Sequence, residues 1–330
     1  MLAFAFSLVN CGSDSHPLTT TNQFAFIREA VPVGATLARE VKGGPRLHQH
    51  RMVQRRAGLR PFAVDIDGGT DSIVLMNNDG TGEAVAVDQG GWFYSIQIGL
   101  NGKSVAFTAD ITGVDGTYQQ VLVATGSGTN YSNYTVTQLT SDAEDHYQAQ
   151  LSPDGAKVIF VKDTSGLNQA YVISATGGTE TLVPIPDTMD VYSPTFTPDG
   201  QSIVFEDCVP DSINIVKLDG TGMTVLNNAD GSYEDDTPSV SPDGKLITFL
   251  QDYNVFVMDI NGQNVKQLTT DGMNDDPMFV NNKIVYLSFA DEDGLSNTSE
   301  IYSMNADGTN PKRLTTDTVD DRFQYYDENY

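Results

Sequence analysis

Short apolar runs separated by polar, turn-forming residues organise this chain. "KVIFV" at 157–161, "SIVFE" at 202–206 and "LITFL" at 246–250 each follow a near copy of one turn, "SPDG" at 152–155 and 241–244 and "TPDG" at 197–200. The runs are β-branched and aromatic, and Gly, Asp, Asn and Pro bound them, which is the pattern of strands rather than helices. Proline pre-sets one turn φ and Asp-Gly tolerates a positive one, so each copy reads as strand, tight hairpin, strand. Asp79-Gly80, Asp219-Gly220, Asn261-Gly262 and Asp307-Gly308 repeat this chemistry at the next hairpin, and closing strands end in "QLT", "QLTT" or "RLTT".

The "SPDG" turn recurs about every 45 residues, and four short strands fit each interval. That is the measure of a propeller blade, whose two faces are buried only when copies stack around a ring. Full units fall at 88–140, 141–185, 186–228, 229–269 and 270–315. The remnants at both ends, "QFAFIRE" with "DSIVLMNNDGTGEAVAV" and "TDTVDDRFQYYDENY", join into one more. The predicted fold is therefore all-β, a six-bladed β-propeller of four-stranded antiparallel blades, closed by a composite N/C-terminal blade that leaves no open sheet edge. Residues 1–21 read as a signal-like segment and tether. Residues 22–330 read as a single propeller domain, with 30–68 as a loop inserted in the composite blade.

Ser152-Pro153-Asp154-Gly155, Thr197-Pro198-Asp199-Gly200, Ser241-Pro242-Asp243-Gly244 and "IYSMNADGTNPKRLT" at 301–315 carry a resemblance to the WD40-like (PD40) propeller repeats of the TolB family. It covers about 62–330 and the strand near residue 25. The resemblance implies a scaffold that presents loops to a protein partner in the cell envelope. Such a scaffold serves many functions, so the fold alone fixes no site chemistry.

Charge narrows the partner. Eight of the 18 basic residues lie between Arg28 and Arg60, and the 270 residues after Arg60 carry 10 basic and 41 acidic side chains. A body this acidic repels nucleic acid and anionic membrane surfaces and attracts cations or basic partners. The two cysteines make no disulfide framework. Cys11 ends the apolar "MLAFAFSLVN" and precedes Gly, Ser and Asp, which resembles a bacterial lipoprotein signal with Cys11 as the lipidated residue. That places the protein in the bacterial cell envelope, periplasmic or at the surface, and anchored by lipid. Cys208 is then left as an unpaired, buried sulfur.

No G-x-S-x-G, H-E-x-x-H, P-loop or C-x-x-C motif occurs, so no catalytic residue is assigned. The recurring candidate is acidic. Asp145, Asp190, Asp235 with Asp236, Asp275 with Asp276, and Asp320 with Asp321 precede or open the inner strand of successive units. They fall on one rim and suggest a docking face for a basic segment or a cation site, with strand capping as the structural alternative. Trp92 occupies the equivalent stretch of the first full unit, with Phe93 and Tyr94, as an aromatic anchor or as core. In "FADEDGLSNTSE", Asp291, Asp293 and Glu300 follow the spacing of a calcium loop without its first ligand, and Ca2+ is the one cofactor considered. The expected function is a monomeric protein-protein interaction module with a basic partner docked on the acidic rim. The alternative is a metal-dependent sugar lyase or lactonase-type enzyme, which needs His, Arg or Lys beside the carboxylates; His146 and Arg322 are the candidates on that rim.

Overall fold

The structure, a computed structural model, describes residues 26–29, 59–65, 71–77, 84–87, 93–98, 104–126, 134–164, 166–208, 212–228, 235–280, 282–289 and 300–314. Every regular element among them is a strand, and these form six four-stranded sheets. The first holds β1 (Phe26–Glu29), β2 (Leu59–Asp65), β3 (Asp71–Asn77) and β4 (Ala84–Val87). The second holds β5 (Phe93–Ile98), β6 (Ser104–Thr112), β7 (Thr117–Gly126) and β8 (Tyr134–Gln138). The third holds β9 (His146–Leu151), β10 (Lys157–Asp163), β11 (Asn168–Ser174) and β12 (Thr181–Leu182). The fourth holds β13 (Val191–Phe196), β14 (Ser202–Asp207), β15 (Ser212–Lys217) and β16 (Thr224–Asn228). The fifth holds β17 (Asp235–Val240), β18 (Leu246–Gln251), β19 (Asn254–Asp259) and β20 (Lys266–Gln267). The sixth holds β21 (Asn274–Val280), β22 (Lys283–Ser288), β23 (Glu300–Asn305) and β24 (Lys312–Arg313).

Sheets two to six are antiparallel meanders and match the five full units. The first sheet departs from expectation. β2 lies inside the segment read as an inserted loop and pairs with β3, while β1 pairs with β2 in parallel. The C-terminal strand expected to complete this sheet lies outside the described residues.

The repeated turn holds itself together. Ser152 Oγ donates to Asp154 Oδ1 (2.6 Å), which also accepts the Ala156 N–H (3.0 Å), and Gly155 takes φ 70°. Thr197 with Asp199 and Ser241 with Asp243 repeat the arrangement. These bonds hold the carboxyls of Asp154 and Asp199 below their usual range, the Ser152 and Thr197 hydroxyls being the main cause. Asp243 is lowered first by Lys245 and then by Ser241.

Both faces of β6, β10, β14, β18 and β22 are buried, which is why these second strands carry near-continuous apolar runs. One cluster joins Val121 and Val123 of the second sheet to Val158, Phe160 and Ile173 of the third. The next joins Ile159 and Ala170 to Phe196, Ile203 and Phe205. Val204 and Ile213 then meet Phe249 and Met258, and Val255 and Val257 meet Phe279 and Ile284. Neighbouring residues of one strand thus serve cores on opposite sides, following the two-residue period of a strand.

Glycines at the outer hairpins of the fourth, fifth and sixth sheets seat each of these against the one before. A Cβ on Gly262 (φ 78°) would stand 2.2 Å from the Leu226 carbonyl oxygen on β16. A Cβ on Gly220 would stand 2.7 Å from Pro184, and one on Gly308 would stand 3.1 Å from Leu268 Cδ2. Glycine is needed there both for the left-handed φ and for the close approach.

The first strands, β5, β9, β13, β17 and β21, contact one another in succession. Each is bulged at the same place. In four of them the bulge carries a buried non-glycine residue at positive φ: Gln148, Ser193, Thr237 and Asp276. Side chains beside the bulges stitch neighbouring first strands. Ser95 Oγ accepts from the Ala149 N–H (3.0 Å), Gln148 Oε1 from the Ser193 N–H (2.8 Å), Gln150 Oε1 from the Phe196 N–H (2.9 Å) and Ser239 Oγ from the Phe279 N–H (3.0 Å).

Candidate functional site

The carboxylates recurring along the sequence do meet one end of successive first strands. Asp145 and Asp190 immediately precede β9 and β13, Asp235 and Asp236 open β17, and Asp275 follows the first residue of β21. Their environments differ. Asp145 Oδ1 accepts the Gln119 N–H at 2.7 Å, and Asp190 Oδ1 accepts the Asn168 N–H at 2.9 Å. Both bonds reach the third strand of the preceding sheet, so these two side chains cap strand starts, the structural alternative weighed above. Burial pushes the Asp190 carboxyl up, and the Asn168 N–H opposes it. Asp236 and Asp275 are half-buried, and Asp276 is 2% exposed at φ 44°. Asp320, Asp321, Trp92, Asp291, Asp293 and Cys11 lie outside the described residues, and Glu300 is described only as the start of β23. Cys208 is buried and disulfide-bonded, which corrects the expectation of an unpaired sulfur.

A second constellation was not assembled by the sequence reading. The connection from β8 to β9, "TSDAEDH", is pinned to β7 by Gln120, whose Nε2 donates to the carbonyls of Asp142 and Glu144, both at 3.1 Å. His146 opens β9, opposite Lys162 in the β10 register. Lys162 lies two residues beyond Phe160, on the face turned toward the second sheet, and its Nζ sits 5.7 Å from the Tyr171 ring centroid. Glu180 enters from the segment before β12. Here Lys162 Nζ pairs with Asp142 Oδ2 and, at 3.2 Å, with Glu180 Oε2.

The imidazole of His146 is fully buried and tilted against Phe160, with ring centroids 5.3 Å apart. Its Nδ1 lies 3.0 Å from the Gln119 carbonyl, which can only accept, so Nδ1 carries the proton. Nε2 is then a lone pair with no hydrogen-bond partner, 3.5 Å from Asp142 Oδ1 and 3.9 Å from Glu180 Oε1. Burial is the main influence on the ring and holds its pKa below the ordinary value. The Gln119 bond and the Asp142 charge oppose it. For Lys162, burial is again the first influence and lowers the pKa, but its hydrogen bonds to Asp142 and Glu180 outweigh it and keep the ammonium above its usual range. Asp142 is partly exposed and also lines a cavity of about 300 Å³ with Gln120, Gln138 and the β6–β7 hairpin. Three ligand-type atoms and an ammonium thus share one boundary between two sheets.

Comparison with known proteins identifies the scaffold. The family model of the TolB beta propeller domain (PD40) matches residues 101–254. No curated protein matches the sequence. Among solved structures, TolB from Acinetobacter baumannii is 17% identical with a TM-score of 0.57, over 76% of this chain and 61% of that one. A protein described as TolB from Agrobacterium tumefaciens is 20% identical with a TM-score of 0.54, over 71% of this chain and 84% of that one. A chain of the nidogen/laminin complex is 12% identical with a TM-score of 0.56, over 78% and 91% respectively. At these identities the likeness speaks for the fold. Residues 101–254 thus match the TolB-type propeller domain, and the sixth sheet beyond them continues the same four-stranded antiparallel unit.

Proposed function

We propose that this chain is a cell-envelope interaction module: residues 22–330 form one monomeric six-bladed propeller, closed by a composite N/C-terminal blade and tethered through residues 1–21. It docks a basic protein segment on the end where its first strands begin. The observation that carries this reading is the return of carboxylates to that end in four successive sheets, from Asp145 to Asp276. Asp145 and Asp190 build the rim by capping it, and the half-buried Asp236 and Asp275 carry the contact with a partner. The strong acidity of residues 61–330 would steer a basic segment toward the module and make association depend on salt. Structural likeness to TolB, and to a chain crystallised in the nidogen/laminin complex, supports an interaction role on this fold.

The tether fits an envelope location in either of two chemistries. A lipid on Cys11 is made outside the cytoplasm, and a disulfide at Cys208 persists in an oxidising compartment. The alternative of a metal-dependent enzyme has one observation in its favour, the His146 cluster, which is taken up below.

The test is capture from an envelope extract with the full chain, beside an Asp236→Asn/Asp275→Asn variant. The control is an Asp219→Asn/Asp307→Asn variant, which removes the same charge at exposed hairpins on the opposite end. A partner retained by the wild type and the control, but lost with Asp236→Asn/Asp275→Asn and in high salt, supports the docking end. Equal capture by all three proteins overturns it.

A further inference from the structure

The cluster of Asp142, His146, Lys162 and Glu180 is built unlike an ordinary surface ion pair. A solvated carboxylate–lysine pair needs no histidine, and a buried neutral histidine normally finds a donor for its second nitrogen. Here the unprotonated Nε2 of a fully buried ring points toward two carboxylates and finds no donor. A lone pair facing two negative groups is favourable only with a cation among them. One nitrogen and two carboxylate oxygens all lie within 4.8 Å of one another, close enough to ligate a single ion.

The surroundings agree with that use. A histidine that ligates a metal through one nitrogen characteristically donates its other N–H to a carbonyl or carboxylate, which fixes the tautomer and aims the ring. The 3.0 Å bond from His146 Nδ1 to the Gln119 carbonyl is such a contact. Gln120 fixes the Asp142 backbone from the same strand, and Phe160 packs against the ring. Asp142 is partly exposed and lines the neighbouring cavity, which offers a way in.

We infer that Asp142, His146 and Glu180 form a binding site for one divalent transition-metal cation, and that the Lys162 ammonium occupies its charge position when the metal is absent. Imidazole with two carboxylates is a borderline donor set, suited to Zn2+ or its first-row neighbours. Ca2+ takes six or more oxygens, and Mg2+ prefers oxygen and water. Three protein ligands leave a coordination position for water or a bound group. Metal entry is an exchange of cations: the divalent ion takes both carboxylates and Nε2, and Lys162 swings away still protonated. The inference is independent of the docking reading, because it concerns the boundary between the second and third sheets rather than Asp236 and Asp275.

The exchange gives the test opposite signs in different variants. The full chain, stripped with a chelator, is titrated with ZnCl2 by calorimetry and by competition with a chromophoric chelator. The expected result is one Zn2+ per wild-type chain, with binding weakened roughly tenfold or more in Asp142→Asn and Glu180→Gln. Binding should be tightened about tenfold in Lys162→Met, where no ammonium competes, and excess Mg2+ or Ca2+ should not displace the ion. Asp142 is partly exposed, so its substitution keeps the test decisive even if Lys162→Met fails to fold, which circular dichroism would report. Stoichiometric binding left unchanged by Asp142→Asn and Glu180→Gln would locate the ion elsewhere and overturn the inference. So would equal affinity in a folded Lys162→Met and the wild type, or no binding by either.

Discussion

Replacing Gly262 with alanine isolates the contact that seats one sheet against the next. Two penalties act at that position. The first is the left-handed backbone, φ 78°, which costs an L-residue about 1 kcal/mol. The second is steric: the new Cβ would stand 2.2 Å from the Leu226 carbonyl oxygen and 2.8 Å from its carbon, where ordinary contact begins at 3.4 Å. The obstacle is backbone at the bulge of β16, flanked by Val225 and Asn227, which pair with β15, so the sheets must part by about 1 Å rather than a side chain turn aside, an overpacking cost of about 1–3 kcal/mol. Gly177 supplies the reference, since its φ is 86° and nothing lies within 4 Å of a Cβ there. Gly177→Ala therefore carries only the backbone penalty. Gly262→Ala should lose about 2–4 kcal/mol in all, and Gly308→Ala should fall between them, because Leu268 Cδ2 at 3.1 Å is a movable side-chain end. Equilibrium urea unfolding followed by far-ultraviolet circular dichroism measures all three. If Gly262→Ala and Gly177→Ala agree within about 0.5 kcal/mol, the close approach does not hold the sheets together and the reasoning fails.

Two further outcomes are expected. The turn carboxyls of Asp154, Asp199 and Asp243 sit below their unfolded range, so the stability they add is present above pH ~3.8 and is lost as pH falls through their lower folded values. A triple Asp→Asn variant should thus lie furthest below the wild type near neutrality, and the gap should close under acid; a gap constant from pH 7 to pH 2 refutes this origin. If the proposed envelope location holds, protein isolated from its source cells and alkylated in denaturant without reductant should carry at most one labelled cysteine, because lipidation at Cys11 or a disulfide at Cys208 removes reactive thiols. Two labelled cysteines per chain would refute the envelope assignment.

The scaffold was legible in the sequence because its signals are local. A hairpin such as Ser152–Gly155 writes its proline, aspartate and glycine within four residues, and Ile159 and Phe160 show by adjacency that both faces of β10 are buried. β2 was not legible: its basic and proline-containing "LRPFAVD" resembles a loop, and its parallel neighbour β1 lies far upstream. The His146 cluster was hidden for a related reason. Asp142, Lys162 and Glu180 come from a connection, a strand and another connection, and only the fold brings them together. One signal was available in Lys162, a cation two residues after the buried Phe160 and therefore on a face that otherwise packs as core. The recurring acids were legible as strand-start positions but not as a set of environments. Nothing in Asp145 or Asp190 announces that each carboxylate is taken by a backbone amide of the preceding sheet.

The glycine contacts run in one direction: Gly220, Gly262 and Gly308 each lie against the outer edge of the sheet before, and Ser95, Gln148, Gln150 and Ser239 tie β5 to β9, β9 to β13 and β17 to β21. These repeats therefore bear two unlike, mutually complementary surfaces, one forward and one backward. This is the geometry of heterologous, head-to-tail assembly, contained within a single polypeptide. A chain severed between two sheets would bare a forward surface at one end and its matching backward surface at the other. Such fragments would join to one another in series, making rings or fibres of many molecules, so the continuity of the polypeptide is what keeps a self-adhesive repeat as one molecule.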